Sequence, residues 1–300
     1  MKPLDPLLQM FPPTLRALVA GARPVSDGER RLAQILQVEP EVLPTLRLGR
    51  ALHYRPFRAE KPDGRERRLF APSPALKRLQ RAILSRYLAY FPIHHPFATA
   101  YFPGASTVRN ARPHAWSRLV ATVDLRDFFE STRASRVRRF FARQGWDGEA
   151  LDTLMRLCVY QGGLPQGAPT SPCLSNLVNV GLDRRLERLA TRSVALYTRY
   201  GDDLTFSWDQ DEMPGGFTNA VEDVLGSAGY EVQPRKGWRV TPASARPVVT
   251  GVVLSGDGRL RVPVSVRLKM WACRWKRLFD PSVAARLEGY RGYVRMVERS

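Results

Sequence analysis

Two adjacent acids, Asp202 and Asp203, stand between the strand-like runs 195–200 and 204–208, at the tip of a tight hairpin. Neighbouring carboxylates repel, and each makes the other costlier to ionise unless a cation is near. Turns accept Asp for purely local reasons too, so the pair alone carries little. A third acid, Asp124, ends the short apolar run 120–123. Carboxylates at the ends of separate strands can converge on one face of a sheet. Three oxygen ligands with open positions suit Mg²⁺, which keeps water and phosphate oxygens in its shell. Two such ions about 3.5–4 Å apart can activate an attacking hydroxyl and stabilise a leaving oxygen in phosphoryl transfer.

These acids stand out because the chain around them is basic. It carries 47 Lys and Arg against 28 Asp and Glu, a net charge of +19. Six of the 47 are lysine, so 41 are arginine, whose planar fork suits phosphate. A genome rich in G and C would also raise arginine, but it would not keep acids scarce. The charge is concentrated: residues 50–81 hold ten basic and three acidic side chains, and residues 259–300 hold eleven and three. Residues 1–50 are closer to neutral, seven against five. A polyanionic partner accounts for this layout.

With 44% hydrophobic residues the chain is a folded protein and not a disordered tail, and 300 residues suggest two domain-sized units. Cys158, Cys173 and Cys273 are odd in number and widely spaced, which points to a reducing, cytoplasmic setting and away from a disulfide framework. No apolar run approaches 18 residues, and the proline-rich start lacks a signal-peptide pattern. Secreted and membrane-spanning classes are therefore not expected.

The elements that must position the acids follow from periodicity. Short helices broken by prolines are expected over 1–50, with a helix start at Ser26-Asp27-Gly28-Glu29. A strand–turn–strand pattern covers 54–70, turning at 61–64. Ser73-Pro74 opens a helix with Leu76, Leu79, Ile83, Tyr87 and Phe91 at helical spacing. Further helices are expected at 135–141, 149–159, 171–189 and 217–229, and a second hairpin joins 248–254 to 259–263 through Gly256-Asp257-Gly258. From Val264 onward the pattern is helical, with Leu268, Trp271, Trp275 and Leu278 on one stripe, which predicts buried tryptophans.

Tyr200-Gly201-Asp202-Asp203 resembles the YxDD element of reverse transcriptases. Residues 124–129 are similar to their motif A, and residues 164–172 resemble their motif B. The three occur in the family's order, and the likeness runs from about residue 50 to 254. Asn110-Ala111-Arg112-Pro113-His114 resembles the NAxxH element of retron reverse transcriptases, and Val249-Thr250-Gly251 resembles their VTG element. Taken alone, Val249-Thr250-Gly251 also reads as a strand ending at a turn, and His114 as a hydrogen-bonded structural histidine.

The resemblance implies an α+β right-hand polymerase of fingers, palm and thumb, with an antiparallel palm sheet and a short helical N-terminal extension. The implied parts are the extension at 1–49, fingers at 50–118 with part of 145–180, palm at 119–245 and thumb at 246–300. Asp124 and Asp202 would be the main ligands of two Mg²⁺ ions, Asp203 a more peripheral carboxylate, and the Leu125 carbonyl an extra ligand. Lys61 and Arg68 would grip the triphosphate of an incoming dNTP, with Arg65 and Arg67 as rivals. Backbone amides at Asp127 and Phe128 would meet the same phosphates. Phe129 would gate against a 2′-OH or else be a core aromatic, and Gln166 would lie near nucleotide and template. Lys236 would protonate the departing pyrophosphate or be a plain surface lysine; Gln233, where relatives often have Asn, departs from the family pattern. Asn110, His114, Val249, Thr250, Gly251, Lys269 and Arg274 are the residues expected to serve nucleic-acid binding.

For a retron enzyme the resemblance implies a cognate structured RNA as template and RNA–DNA hybrid as product. It also implies priming from an internal 2′-OH, a branched product, and antiphage defence with an effector protein. Group II intron and diversity-generating reverse transcriptases are rivals. The first is disfavoured because no DNA-binding or endonuclease domain is expected after the thumb, the second because motif B keeps Gln166-Gly167. A catalytically idle RNA-binding scaffold is the rival from another class, and the intact acids argue against it.

Overall fold

Ser26 caps the first helix, α1 (Asp27–Leu36): its hydroxyl accepts the Glu29 N–H, and the Glu29 carboxylate accepts the Ser26 N–H in return. The computed structural model describes residues 25–48, 52–60, 66–91, 95–277 and 280–299. The turn expected at 61–64, with Lys61, lies outside these residues, as do Arg65, Leu278 and the first 24 positions. After α1 come α2 (Leu43–Leu48), the hairpin β1 (Tyr54–Glu60) and β2 (Glu66–Pro72), α3 (Pro74–Arg86), α4 (Thr107–Ala111) and β3 (Leu119–Asp124). Then follow α5 (Phe128–Ser131), α6 (Ala134–Arg143), α7 (Gly148–Cys158), α8 (Ser171–Arg192), β4 (Leu196–Tyr200), β5 (Asp203–Trp208) and α9 (Phe217–Ser227). The chain ends with β6 (Arg239–Pro242), β7 (Val248–Val249), β8 (Val252–Leu254), β9 (Leu260–Arg261), α10 (Val264–Lys276) and α11 (Ala284–Glu298).

Two compact units result. One draws on Met1–Ile93 and Asp127–Asn179, the other on His94–Arg126 and Val180–Ser300. Residues 94–118 group with the strands that carry the acids and not with the β1–β2 hairpin.

In the first unit, Leu32, Leu36, Leu76, Leu79, Ile83, Phe141, Trp146 and Leu154 form one core. Removing side chains of this size from water supplies roughly 1.5–3 kcal/mol each. Its polar atoms are paired: the Trp146 indole N–H donates to the Tyr87 hydroxyl at 2.7 Å. The loop of motif B lies against β2, where the Phe70 N–H donates to the Gln166 carbonyl at 2.8 Å. Gly167 follows with φ +125°, and a Cβ there would come within 2.6 Å of the Phe70 carbonyl oxygen.

The second unit is built on an antiparallel sheet of order β4-β5-β3-β6. Both its central strands are buried along most of their length, so the sheet is covered on two faces. The strand β6 was not expected: Arg239, Thr241 and Pro242 break the apolar pattern, and Pro242 is tolerated because β6 is an edge. The second hairpin also differs. Residues 248–254 are not one strand; the chain reverses at Thr250-Gly251, both with positive φ, so that Val249 pairs with Val252. Two central residues with positive φ match the right-handed twist of the flanking strands. β9 then adds to β8 as a third strand.

Gly167→Ala is expected to cost about 1–3 kcal/mol from backbone strain alone, with the collision at Phe70 added, in urea unfolding. Gly181→Ala, in α8 with nothing within 4 Å of the new Cβ, is expected to stabilise by roughly 0.5–1 kcal/mol in the same measurement.

Candidate catalytic carboxylate site

The register of β3 with β5 sets Asp124 directly across from Asp203, and Tyr200 pairs with Asp203 on the other side. Opposed residues of an antiparallel pair share a face, so the two carboxyl groups meet and share a hydrogen bond. Burial pushes the Asp203 carboxyl up, and the hydrogen bond and charge of Asp124 with the charge of Asp202 push it further, to about 8. Burial opposes ionisation of Asp124 too. There the hydrogen bond from Asp203 and the Lys236 ammonium win, and Asp124 is held below the usual carboxylate range. The Lys236 Nζ lies 2.5 Å from Asp124 Oδ1. The pair therefore shares one proton, carried by Asp203, with a cation against its partner.

Backbone bonds fix this arrangement. The turn is Gly201-Asp202, with Gly201 at φ +67°, and Asp203 already belongs to β5. A Cβ on Gly201 would stand 2.5 Å from the Tyr101 hydroxyl. The Leu125 N–H donates to the Asp202 carbonyl at 2.9 Å, tying the turn to the end of β3. The Arg126 N–H donates to the Glu231 carbonyl at 2.9 Å, and the Gln233 N–H to the Asp124 carbonyl at 2.8 Å. Residues 231–236 thus run beside the end of β3 and bring Lys236 to Asp124.

Beneath the hairpin, His114 is fully buried, with Nδ1 2.6 Å from Ser207 Oγ and Nε2 2.8 Å from Thr198 Oγ1. Burial lowers its pKa to about 3, so the ring is neutral. Asn110, also fully buried, accepts from the Thr99 hydroxyl at 2.6 Å and donates to Thr250 Oγ1 at 3.3 Å. The NAxxH and VTG elements thus touch each other. As surface contacts for nucleic acid, Asn110, His114 and Val249 are corrected: their side chains are inside the unit, among the β4–β5 hairpin and the β7–β8 turn. Thr250 is half-buried and Gly251 exposed.

The other expected residues fall as follows. Asp127 is exposed with φ +42° and precedes α5. Phe128 is buried and Phe129 half-buried, their rings 5.5 Å apart. Gln166 is half-buried, and Leu125 is buried. Arg68 is exposed, lies 5.1 Å over the Phe70 ring, and lines a cavity of about 470 Å³ with Pro56, Phe57 and Arg58. Lys269 and Arg274 are exposed on α10. The tryptophans of that helix correct their expectation: Trp271 and Trp275 are 59% and 55% exposed. An amphipathic stripe says which residues share a face, not whether anything covers it.

Sequence reasoning missed Asp183 and Arg199. Both are fully buried, and they form a two-pronged ion pair, Nε to Oδ1 and Nη2 to Oδ2, each at 2.7 Å. A signal was present: Asn179, Asp183, Leu186 and Ala190 follow helical spacing on the buried face of α8, so Asp183 needs a cation. Strand alternation puts Arg199 on the face of Tyr197.

The fit to a divalent ion is read from the donor set. The carboxyl pair in side-chain contact is Asp124 with Asp203. Among the described residues no three His, Cys, Asp or Glu side chains stand in metal-holding geometry. Two hard oxygen donors sharing a proton beside an ammonium are nevertheless what a divalent cation would replace, by displacing both. Mg²⁺ binding at pH 7 is accordingly expected to release about one proton, measured by calorimetry in buffers of different ionisation enthalpy. The release should vanish above about pH 9 and in Asp203→Asn.

His114 gives a second pH dependence. Its folded pKa lies below its unfolded value of 6.5, so the unfolded chain binds the extra proton between about pH 6.5 and 3. Stability from this group is complete above pH 6.5 and is lost as pH falls. His114→Gln is expected to flatten that part of the stability–pH curve in urea titrations.

The reverse transcriptase (RNA-dependent DNA polymerase) family matches residues 59–248. The Retron Mx162 reverse transcriptase of Myxococcus xanthus is 35% identical over 72% of this chain and 51% of its own length. The Retron Ec86 reverse transcriptase of Escherichia coli is 32% identical over 78% of this chain and 73% of its own. The Retron Mx65 reverse transcriptase of Myxococcus xanthus is 31% identical over 96% of this chain and 76% of its own. The chain thus spans about half the length of the first relative and about three quarters of the other two. Among solved structures, telomerase from Candida albicans with a telomeric RNA fragment matches with a TM-score of 0.49 at 9% identity, over 73% of this chain and 47% of that one. The family match and the retron relatives, with the antiparallel sheet that carries the acids at its strand ends, establish an α+β right-hand polymerase fold, and the chain belongs to the reverse transcriptases, the RNA-dependent DNA polymerases, on their retron branch.

Proposed function

We propose that the protein copies a cognate structured RNA into DNA from dNTPs with two Mg²⁺ ions. Priming is from a 2′-OH within that RNA, so the product is a branched RNA–DNA molecule. The retron relatives support the RNA template. The branched product, a cytoplasmic setting, and antiphage defence with an effector protein rest on the likeness to retrons alone. The observation that carries the catalytic part is the Asp124–Asp203 pair, held across two antiparallel strands with Lys236 at 2.5 Å. No helix among the described residues is long and apolar enough to cross a membrane.

Each residue has a chemical task in this reading. Asp124, Asp202 and Asp203 hold the ions, which when bound supply charge neutralisation for the attacking hydroxyl and the leaving pyrophosphate. Lys236 moves off Asp124 and gives its proton to the departing pyrophosphate. Arg68, with Lys61, binds the β- and γ-phosphates, since phosphoryl transfer depends on positioning and charge. The Asp127 and Phe128 amides meet the same phosphates, the Leu125 carbonyl adds a ligand, and Gln166 lies along the nucleotide. Phe129, the more open of the two phenylalanines, limits the sugar to a 2′-deoxyribose. Lys269 and Arg274 take backbone phosphates, giving binding that weakens as salt rises.

The test is to purify the protein with the transcript of its own flanking DNA, add dNTPs and Mg²⁺, and look for labelled DNA covalently joined to RNA. Asp124→Asn and Asp203→Asn are expected to lower synthesis by about 10²–10³-fold or more while RNA binding is retained. No extension on that RNA or on a generic primed template overturns the polymerase reading. Extension on the generic template alone overturns the cognate-RNA part.

A further inference from the structure

The ion pair beneath the catalytic turn has a feature that packing does not explain. Arg199 spends Nε and Nη2 on Asp183, whose Oδ1 also accepts the Tyr197 hydroxyl at 2.8 Å. Its remaining group, Nη1, donates to the Gly201 carbonyl at 3.1 Å. The Arg199 main chain is held as firmly: its N–H donates to the Phe97 carbonyl, and its carbonyl accepts the Thr99 N–H, each at 2.8 Å. Both charged side chains are 0% exposed. Burying two ions costs so much desolvation that such a pair seldom stabilises more than an apolar pair of the same size. Its benefit must then be sought in geometry.

The Gly201 carbonyl belongs to the peptide plane from which Asp202 departs. Gly201 has no side chain to restrict it, and its φ of +67° is one of several backbone states open to glycine. The next carbonyl, that of Asp202, is taken by the Leu125 N–H. With Arg199 on one carbonyl and β3 on the other, both peptide planes of the turn are fixed. We propose that Arg199, oriented by Asp183, is a positioning residue that sets the carboxylates of the turn at the spacing a divalent ion requires. This rests on the reading of Asp124, Asp202 and Asp203 as metal-holding.

The test replaces the whole buried group without leaving an unpaired charge, by combining Asp183→Leu, Tyr197→Phe and Arg199→Met. Mn²⁺ binding to the full chain is followed by electron paramagnetic resonance without nucleic acid, and amide exchange at Leu125 is compared with amides in the middle of β3. The expected result is a folded protein whose Mn²⁺ affinity falls about 10-fold or more, in the range for residues that orient metal ligands. Leu125 should exchange faster while the middle of β3 does not change, and kcat for extension should fall with the KM for dNTP unchanged. A folded triple variant with wild-type Mn²⁺ affinity overturns the inference. Arg199→Lys is the second variant: it keeps a charge for Asp183, but a single ammonium does not span both carboxylate oxygens and Gly201. It should weaken Mn²⁺ binding, whereas Tyr197→Phe alone should not. Equal weakening by those two substitutions would show general loosening of the core and overturn it as well. If the wild-type chain binds no Mn²⁺, the metal-holding reading fails first, and this inference falls with it.

Discussion

Antiparallel pairing of β3 with β5 forces two carboxyl groups, Asp124 and Asp203, onto one face at a place that is largely withdrawn from water. Like charges so placed raise each other's cost of ionisation, and the sheet cannot relieve this by slipping, because a shift of one residue would exchange the two packed faces of β3 and break its fit to both. The second unit answers in three ways. Asp203 keeps a proton, Lys236 sets an ammonium against Asp124, and the backbone of 231–233 is bonded to the end of β3 so that Lys236 reaches its place. The repulsion is also what the proposed function would draw on. A pair that needs a cation to become doubly ionised suits the divalent ion proposed for it, and the residues holding it in register would determine how well.

Those supports are polar and buried, which is unusual for a core. His114 bridges Thr198 on β4 and Ser207 on β5, and it does so as a neutral ring with both nitrogens occupied. Arg199 and Asp183 bring full charges to the same strand region, with Tyr197 on the shared carboxylate. Hydrogen bonds have direction and apolar contacts do not, so a hairpin held this way has fewer ways to shift. Other arginines shape the outside. Arg58 and Arg68 on the β1–β2 hairpin and Arg274 on α10 are exposed within the two most basic segments. Arg199 thus serves the interior geometry, while the exposed arginines contribute to the net charge of +19.

The features carried by short-range pattern were legible in the sequence. Ser26 and Glu29 announce a helix start because a capping box is four residues long, and Asp124, Gly201, Asp202 and Asp203 announce a site because acids at strand ends and turns are local too. What escaped depends on partners far along the chain. The edge strand β6 has little apolar signal of its own and exists by pairing with β3, about 120 residues earlier in the sequence. The Thr250-Gly251 reversal is hidden in an even run of valines. The contact of Asp203 with Asp124 comes from the strand register, which no short window contains. Trp271 and Trp275 show the converse limit, because a helical stripe cannot state whether the rest of the chain supplies a cover.

The two elements most specific to the retron likeness, NAxxH and VTG, also turn out to be mostly interior. Asn110 joins them by hydrogen-bonding Thr250, while the Tyr293 hydroxyl of α11 donates to the Gly251 carbonyl at 3.1 Å. One short network therefore runs from the strand pair bearing the acids, through His114 and Asn110, to the β7–β8 turn and the last helix. Residues in such a network are constrained by one another, since an unpaired buried amide or hydroxyl costs about 1–3 kcal/mol. A signature of this kind identifies a way of building the unit. The same framework leaves Arg112 outside: it is exposed within the NAxxH element and donates to the Gly258 carbonyl at 3.1 Å.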